Sequence, residues 1–176
     1  MKWKRRILYL VTIVCIAGPV HASFDQLTSE VQAKEQKIDS DGLVRAPVLR
    51  SLGAACSVNT ALQSAISGDS KTLAQTLSMA EQSFRSVARD LPALANQKRF
   101  ERTVKLPRSV EPFGHVTVTT TGDDLLRAIA ELARKSADAI ARIREGKGGQ
   151  DELSQIFENS AEISQLILAF YGIPTV

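Results

Sequence analysis

Apolar side chains recur at steps of three and four residues along most of this chain, and residues 73–91 show the pattern most regularly. The apolar positions there are Leu73, Leu77, Ala80, Phe84, Val87 and Leu91. Because an α-helix turns once every 3.6 residues, this spacing places them on one face of a helix. The stripe is too short to indicate a coiled coil, so it favours packing within a helical bundle.

A helix is also predicted from Pro47 to Gly68, because proline suits a first helical turn and glycine readily adopts the left-handed conformation that ends one. Asp69 then caps the helix of the stripe. Pro92 is expected to break or kink that helix, leaving a further short helical piece over residues 93–100. The inward positions of the Pro47 helix are predicted to be Val48, Leu49, Leu52, Ala55, Cys56, Asn59, Leu62 and Ile66.

Two more helices are predicted in the C-terminal half, one capped by Thr121 and one running from Asp151 to Gly172. The glycine-rich turn at 146–149 is short, which predicts an antiparallel pair. Their inward positions are Leu125, Leu126, Ile129, Leu132, Ser136, Ile140 and Ile143, then Leu153, Ile156, Phe157, Ser160, Ile163, Ile167 and Phe170. Opposite charges four residues apart are expected to pair on the exposed face: Glu131 with Lys135, and Asp138 with Arg142.

Residues 101–122 differ from the rest because they combine prolines and glycines with a β-branched run. Residues 116–120 alternate as a strand does, and residues 103–106 have the composition to pair with them. The segment is either a small β-hairpin or an extended excursion over about 103–120. The chain is therefore predicted to be all-α, an antiparallel bundle of four main helices plus a short helix, with this excursion.

The first 22 residues have the three parts of a secretory signal peptide. A cationic head precedes an apolar run from Ile7 to Ala17, which is shorter than the ~20 residues that cross a bilayer. The small residue Ala22 favours cleavage before Ser23, with an uncleaved membrane anchor as the alternative. Residues 23–176 would then form one helical-bundle domain, periplasmic or secreted, whose first helix presents Phe24, Leu27, Val31 and Ile38.

Removal of the leader would change the charge balance. The whole chain has 22 Lys and Arg against 19 Asp and Glu, and four of the cations lie in the leader. A nearly neutral mature chain argues against a nucleic-acid partner. Residues 85–108 still hold seven cations and two acids, whereas residues 151–176 hold four acids and no cation. These segments either complement each other within the chain or leave a basic patch for an acidic protein or for peripheral contact with an anionic envelope or membrane.

The residue types that carry most catalysis and metal binding are scarce. Outside the leader, His115 is the only histidine and Cys56 the only cysteine, which disfavours zinc sites, covalent haem and nucleophile–histidine pairs. Cys56 is interpreted as a buried small side chain, with pairing between chains as the alternative. We therefore expect no catalytic residue, no cofactor and no metal. The carboxylates that a hydrolase would need are Glu101, Glu111, Asp123 and Asp124.

The leading hypothesis from the sequence is an exported, non-catalytic interaction or adaptor protein of the bacterial periplasm, serving envelope assembly, secretion or conjugation. A second hypothesis is an inhibitor or immunity protein that blocks an exported enzyme, and a third is a small carboxylate-dependent cell-wall hydrolase. A protein partner, acidic in character, would contact the segment around residues 99–115. The residues predicted to form this interaction surface are Arg99, Arg102, Lys105, Arg108, Phe113 and His115.

Overall fold

The computed structural model of the chain describes residues 42–109 and 115–173. The elements in chain order are α1 (Arg45–Ser67), α2 (Ser70–Ala95), β1 (Thr103–Ser109), β2 (His115–Thr121), α3 (Gly122–Arg144) and α4 (Gln150–Phe170). Several predicted features lie outside the described residues: the leader with its cleavage point between Ala22 and Ser23, the helix of Phe24 to Ile38, Glu111 and Phe113.

The four helices form a bundle in which each packs mainly against two others. α1 contacts α2 and α4, and α3 contacts α2 and α4. Strands β1 and β2 form an antiparallel hairpin with Thr103 opposite Thr121 and Ser109 opposite His115. The predicted helical bundle is confirmed, and the segment near 103–120 is a hairpin. Within the two described ranges, no helix has both the length and the apolar character that a membrane span requires.

Large aliphatic and aromatic side chains from all four helices fill the core, and alanines occupy many positions between them. The stripe predicted on α2 is buried, apart from Leu73, which is partly exposed. Small side chains at helix contacts allow the backbones to approach closely. The buried alanines include Ala54, Ala61, Ala80, Ala95, Ala133, Ala137 and Ala139.

The predicted helix ends at residues 68–69 and 121 are confirmed. Gly68 has a left-handed conformation with φ 78°, and its N–H donates to the carbonyl oxygen of Ser64. The Asp69 carboxylate accepts the N–H of Thr72 at 3.0 Å. The Thr121 hydroxyl accepts the N–H of Asp124 at 3.1 Å. These bonds satisfy donors and acceptors that helix ends otherwise leave without partners.

The prediction that Pro92 breaks or kinks its helix is wrong in one respect, because α2 continues past it to Ala95. No separate helix over residues 93–100 exists in the described chain. Leu91 and Ala95, on either side of Pro92, are both 0% exposed. The proline lies in the last turn, where it removes a single N–H, and burial of these neighbours outweighs that loss.

The inward face predicted for α1 is also wrong in part. The helix buries Ser51, Ala54, Val58 and Ala61, while Ile66 is 55% exposed and Cys56 is partly exposed. Residues 54 and 56 point to nearly opposite sides of a helix. Apolar residues occur around much of α1, so their periodicity did not identify one face.

Ion pairs connect α2 to its neighbours. Glu81 accepts from Arg144 of α3 at 2.7 Å and from Arg85 at 3.0 Å. Arg50 of α1 donates to Asp90 of α2 at 2.6 Å. Of the predicted pairs within α3, Glu131 and Lys135 lie 3.8 Å apart. Asp138 does not follow the prediction of pairing with Arg142, since it pairs instead with Arg134 and with Arg85 from α2.

We expect the Glu81 network to make stability depend on pH. Burial alone would raise the pKa of Glu81, but the hydrogen bonds from Arg144 and Arg85 outweigh burial and hold this pKa below its ordinary value of 4.5. A depressed pKa in the folded state contributes stability above pH 4.5, which is lost as the pH falls through the folded value. Glu81→Gln should lower the free energy of unfolding at pH 7 by roughly 1–3 kcal/mol, and by much less at low pH.

Urea denaturation of wild type and Glu81→Gln across pH 3–7 measures this difference. Glu131→Gln is the matched control, because Glu131 also pairs with two cations but its side chain is 48% exposed. Exposed pairs contribute little to stability. A Glu81→Gln penalty that stays constant between pH 7 and pH 3 would contradict the assignment.

Candidate functional site

The hairpin is attached to the bundle by a short backbone junction. The N–H of Gly122 donates to the carbonyl oxygen of Arg102 at 3.1 Å, and the N–H of Asp123 donates to that of Phe100 at 3.0 Å. The Asp123 carboxylate accepts the N–H of Phe100 in return, at 3.3 Å. These bonds fix the segment entering β1 against the first turn of α3.

Aromatic side chains from two distant parts of the chain meet beside this junction. The rings of Phe100 and Phe170 lie edge to face with centroids 5.4 Å apart, and those of Phe170 and Tyr171 lie 5.1 Å apart. All three side chains are buried. We call Phe100, Phe170 and Tyr171 the aromatic cluster. It joins the end of α4 to the segment that leads into β1.

Arg102 lies over this cluster. Its guanidinium carbon is 5.1 Å from the centroid of the Phe170 ring, which is a cation–π geometry. Burial lowers the pKa of Arg102 below its ordinary value, and the electrostatic influence of Tyr171 opposes that change. Arginine remains protonated in proteins, so Arg102 presents a fixed positive charge at the base of the hairpin.

Further cations flank Arg102 along the chain. Lys98, Arg99 and Lys105 are all exposed, and Lys98 has a positive φ of 52° in the turn after α2. One acid, the exposed Glu101, lies among them. We call Lys98, Arg99, Arg102 and Lys105 the cationic surface. It is carried by the connection from α2 to β1 and by β1 itself.

The cationic surface differs from the rest of the described chain in how its charges are satisfied. Carboxylate oxygens lie within 3.8 Å of cations on α1, α2 and α3 and in the turn before α4: Arg50, Arg85, Arg89, Arg127, Arg134, Lys135, Arg142, Arg144 and Lys147. Among the described residues, no ion pair involves Lys98, Arg102 or Lys105. Lys71, at the start of α2, shares this property. The charges of Lys98, Arg102 and Lys105 are therefore not neutralised by a carboxylate among the described residues.

The predicted interaction residues divide into three groups. Arg99, Arg102 and Lys105 lie in the cationic surface. Arg108 and His115 lie on the hairpin, opposite Val116 and Ser109 respectively, but the structure does not describe their side chains. Phe113 is outside the described residues. Lys98 was not among the predicted residues, although Lys98 belongs to the same run of cations. No sequence pattern predicted the aromatic cluster.

The alternative of charge complementarity within the chain accounts for part of the basic segment. Arg85 pairs with Glu81 and Asp138, and Arg89 pairs with Asp90. These acids belong to α2 and α3 rather than to residues 151–176. Glu152, from that acidic segment, pairs with Arg142. Arg85 and Arg89 are thus engaged by carboxylates of α2 and α3, unlike Lys98, Arg102 and Lys105.

The described carboxylates considered for hydrolysis occupy different environments. Asp123 is 3% exposed, and its Oδ2 accepts no hydrogen bond from the described residues. Asp124 is exposed and accepts from Arg127 at 3.0 Å. The hydrogen bond with the Thr121 hydroxyl lowers the pKa of Asp124 most, and the hydrogen bond and charge of Arg127 lower it further. Partial loss of hydration acts in the opposite direction but is outweighed. Glu101 is exposed in the cationic surface.

The part of the chain that the structure describes has no group of three or more His, Cys, Asp and Glu residues placed to hold a metal ion. Comparison of the chain with protein-family models, with curated proteins and with solved structures gives no match.

Proposed function

We propose that this chain is an exported, non-catalytic interaction protein that docks an acidic protein partner on the cationic surface. The observation that supports this proposal is the contrast in ion pairing. Nine cations of the helices and the turn before α4 lie beside carboxylates, whereas Lys98, Arg102 and Lys105, like Lys71 at the start of α2, form no ion pair within the described residues. Uncompensated charge attracts partners of opposite charge and directs their orientation.

The arrangement of the cationic surface suits docking rather than a mobile tail. Arg102 is held over the Phe170 ring, and the backbone beside it is bonded to Gly122. Lys105 lies on a strand paired with β2. Preorganised groups lose less conformational entropy on binding, so this surface would bind more tightly than an equally charged flexible segment.

Export is part of the proposal because the first 22 residues have the pattern of a signal peptide. In a bacterium the processed protein would act in the periplasm as an accessory of envelope assembly, secretion or conjugation. Contact with the anionic surface of the envelope or membrane would use the same cations, although a specific protein partner is the function that we propose.

The test compares two variants with equal changes in net charge. The first variant replaces Lys98, Arg102 and Lys105 with glutamine. The second variant replaces Lys71, Lys135 and Lys147 with glutamine. Lys71 lies ~36 Å along α2 from Ala95, because a helix rises 1.5 Å per residue. The partner is first identified by crosslinking and affinity capture on the exported wild-type protein, and its affinity for each variant is then measured by calorimetry.

We expect the first variant to bind the purified partner at least about tenfold more weakly at physiological salt, and the second to bind as wild type does. Equal melting temperatures show that both variants are folded. Equal affinities of the two variants for the partner would exclude the cationic surface as the docking site.

A further inference from the structure

The two strands of the hairpin differ in how their outer edges are protected. Strand β1 has the sequence TVKLPRS and contains a lysine, a proline and an arginine. Charged residues and prolines are the means by which natural proteins prevent another strand from adding to an exposed edge. Strand β2 has the sequence HVTVTTT, which is rich in strand-forming residues and has no proline, lysine or carboxylate. Its outer edge therefore lacks the protection that β1 has.

The register shows which backbone groups of β2 face outward. Gly122 donates its N–H to Arg102, directly opposite in the extension of the hairpin register. Hydrogen-bonded and non-bonded pairs alternate along an antiparallel ladder. The non-bonded positions of β2 are therefore His115, Thr117, Thr119 and Thr121, whose N–H groups point away from β1. The C=O groups of the first three do so too, whereas Thr121 is the N-cap of α3 and its C=O accepts the first bond of that helix. Pro107 lies opposite Thr117, at a non-bonded position of β1 where its missing N–H removes no ladder bond.

Thr117, Val118 and Thr119 of β2 are exposed, and they lie on both faces of the hairpin. Thr117 and Thr119 are exposed on one face. On the other face Val104 and Leu106 of β1 are buried, but Val118, opposite Leu106, remains 41% exposed. The helices thus cover the apolar face beneath β1 and leave it partly uncovered beneath β2. In a third strand beside β2, every second side chain would lie on the face that carries Val118, and the nearest of them would cover Val118.

We infer that the outer edge of β2 accepts an extended acidic segment of the protein partner as a third strand, in which acidic and apolar residues alternate. This inference rests on the proposed function, since it specifies how the partner contacts the cationic surface. Lys105 lies directly opposite Thr119 in a non-bonded pair, so both side chains share one face. The backbone of the added strand would lie two strand spacings, ~10 Å, from the backbone of Lys105. The side chains of Lys105 and of a glutamate on the same face of the added strand are long enough to meet across that distance.

The alternative occupant of this edge is a second copy of the chain. Pairing β2 with its counterpart would satisfy the same backbone groups. However, β2 contributes no acid, and each copy would bring its own Lys98, Arg102 and Lys105. The carboxylates of an acidic strand would be attracted to these cations, whereas the β2 strand of a second copy has no carboxylate to attract.

The probe is a heptapeptide of alternating Glu and Val with blocked ends, titrated into the full chain with amide chemical shifts as the readout. We expect binding to shift the amides of Thr117, Thr119 and Thr121. Thr119→Pro removes one outward N–H and should weaken binding roughly three- to tenfold, the contribution of one hydrogen bond. Thr119→Val, which keeps the N–H, is the matched control and should bind as wild type does.

A change in the peptide keeps the test independent of how well the proline variant folds. Methylation of alternate peptide nitrogens removes the donors that a strand needs, so we expect it to abolish binding to the wild-type chain. Equal binding of the methylated and unmethylated peptides would overturn strand addition. A dimer, seen by sedimentation, that Thr119→Pro dissociates would overturn the acidic segment in favour of a second copy.

The same titrations separate this inference from the proposed function. If the methylated peptide binds as well as the original and Lys105→Gln weakens both, the cationic surface stands and strand addition fails. If an alternating Lys and Val peptide binds as tightly as the acidic one, and methylation abolishes both, the β2 edge stands and acidic recognition fails.

Discussion

Phe170→Ala is expected to lower the free energy of unfolding by about 3–5 kcal/mol, the usual cost of truncating a buried phenylalanine. Phe170 is 0% exposed and contacts both Phe100 and Tyr171 edge to face. Its removal would leave a cavity where α4 meets the segment that leads into β1. The cation–π contact that positions Arg102 would be lost with it.

Urea denaturation followed by circular dichroism measures this effect. Phe157→Ala is the matched control, because Phe157 lies on the same helix but is only partly buried. We expect the control to lose clearly less stability than Phe170→Ala. A Phe170→Ala penalty no larger than that of Phe157→Ala would contradict the central position given to the aromatic cluster.

Among glycine-to-alanine substitutions in the described residues, Gly122→Ala should be the most damaging. We expect it to lower the free energy of unfolding by about 2–3 kcal/mol. A Cβ at this position would lie 2.6 Å from the carbonyl oxygen of Phe100 and 3.0 Å from the Phe100 Cβ. That oxygen is part of the backbone and already accepts from Asp123, so it cannot move aside without breaking the junction. The start of α3 would have to shift away from the hairpin.

Gly53→Ala is the matched control for this substitution. Gly53 lies inside α1, and a Cβ there would have no atom within 4 Å. Alanine stabilises a helix relative to glycine by about 0.5–1 kcal/mol, so we expect this variant to gain stability. Chemical denaturation of both variants provides the comparison. Similar stability of Gly122→Ala and wild type would show that the junction is not closely packed.

The sequence predicted the helices well where one face alone is apolar. On α2 the apolar residues from Leu77 to Leu91 form one stripe, and the core buries that stripe. On α1 the apolar and small residues surround the helix, so spacing alone did not separate Ala54 from Cys56. The buried side of such a helix depends on its neighbours, which a local pattern does not contain.

Contacts between distant segments were the part that the sequence could not supply. Arg85 reaches Asp138 and Glu81 reaches Arg144 across a helix interface, and only the packing of α2 on α3 brings them together. The spacing rule for helices correctly placed Glu131 beside Lys135 but gave Asp138 the wrong partner.

The location of the basic segment could be read from the sequence, whereas its role in binding stays a prediction. The run of cations near residues 98–108 was visible in the sequence, but which of them lack carboxylate neighbours depends on the fold. Arg102 is held by Phe170, far away in the sequence, and this contact could not have been predicted from residues 99–115 alone. Within the described ranges no third strand pairs with β2, and only the register shows which of its backbone groups face away from β1.

The central claim is that a protein partner covers the cationic surface, and lysine labelling tests it most directly. An amine-reactive reagent is applied to the full chain alone and in complex with its captured partner, and modification is quantified at each lysine by mass spectrometry. The account predicts that the partner protects Lys98 and Lys105 severalfold and leaves Lys71 and Lys147 unchanged. Equal labelling of Lys98 and Lys105 in the free chain and in the intact complex would contradict it.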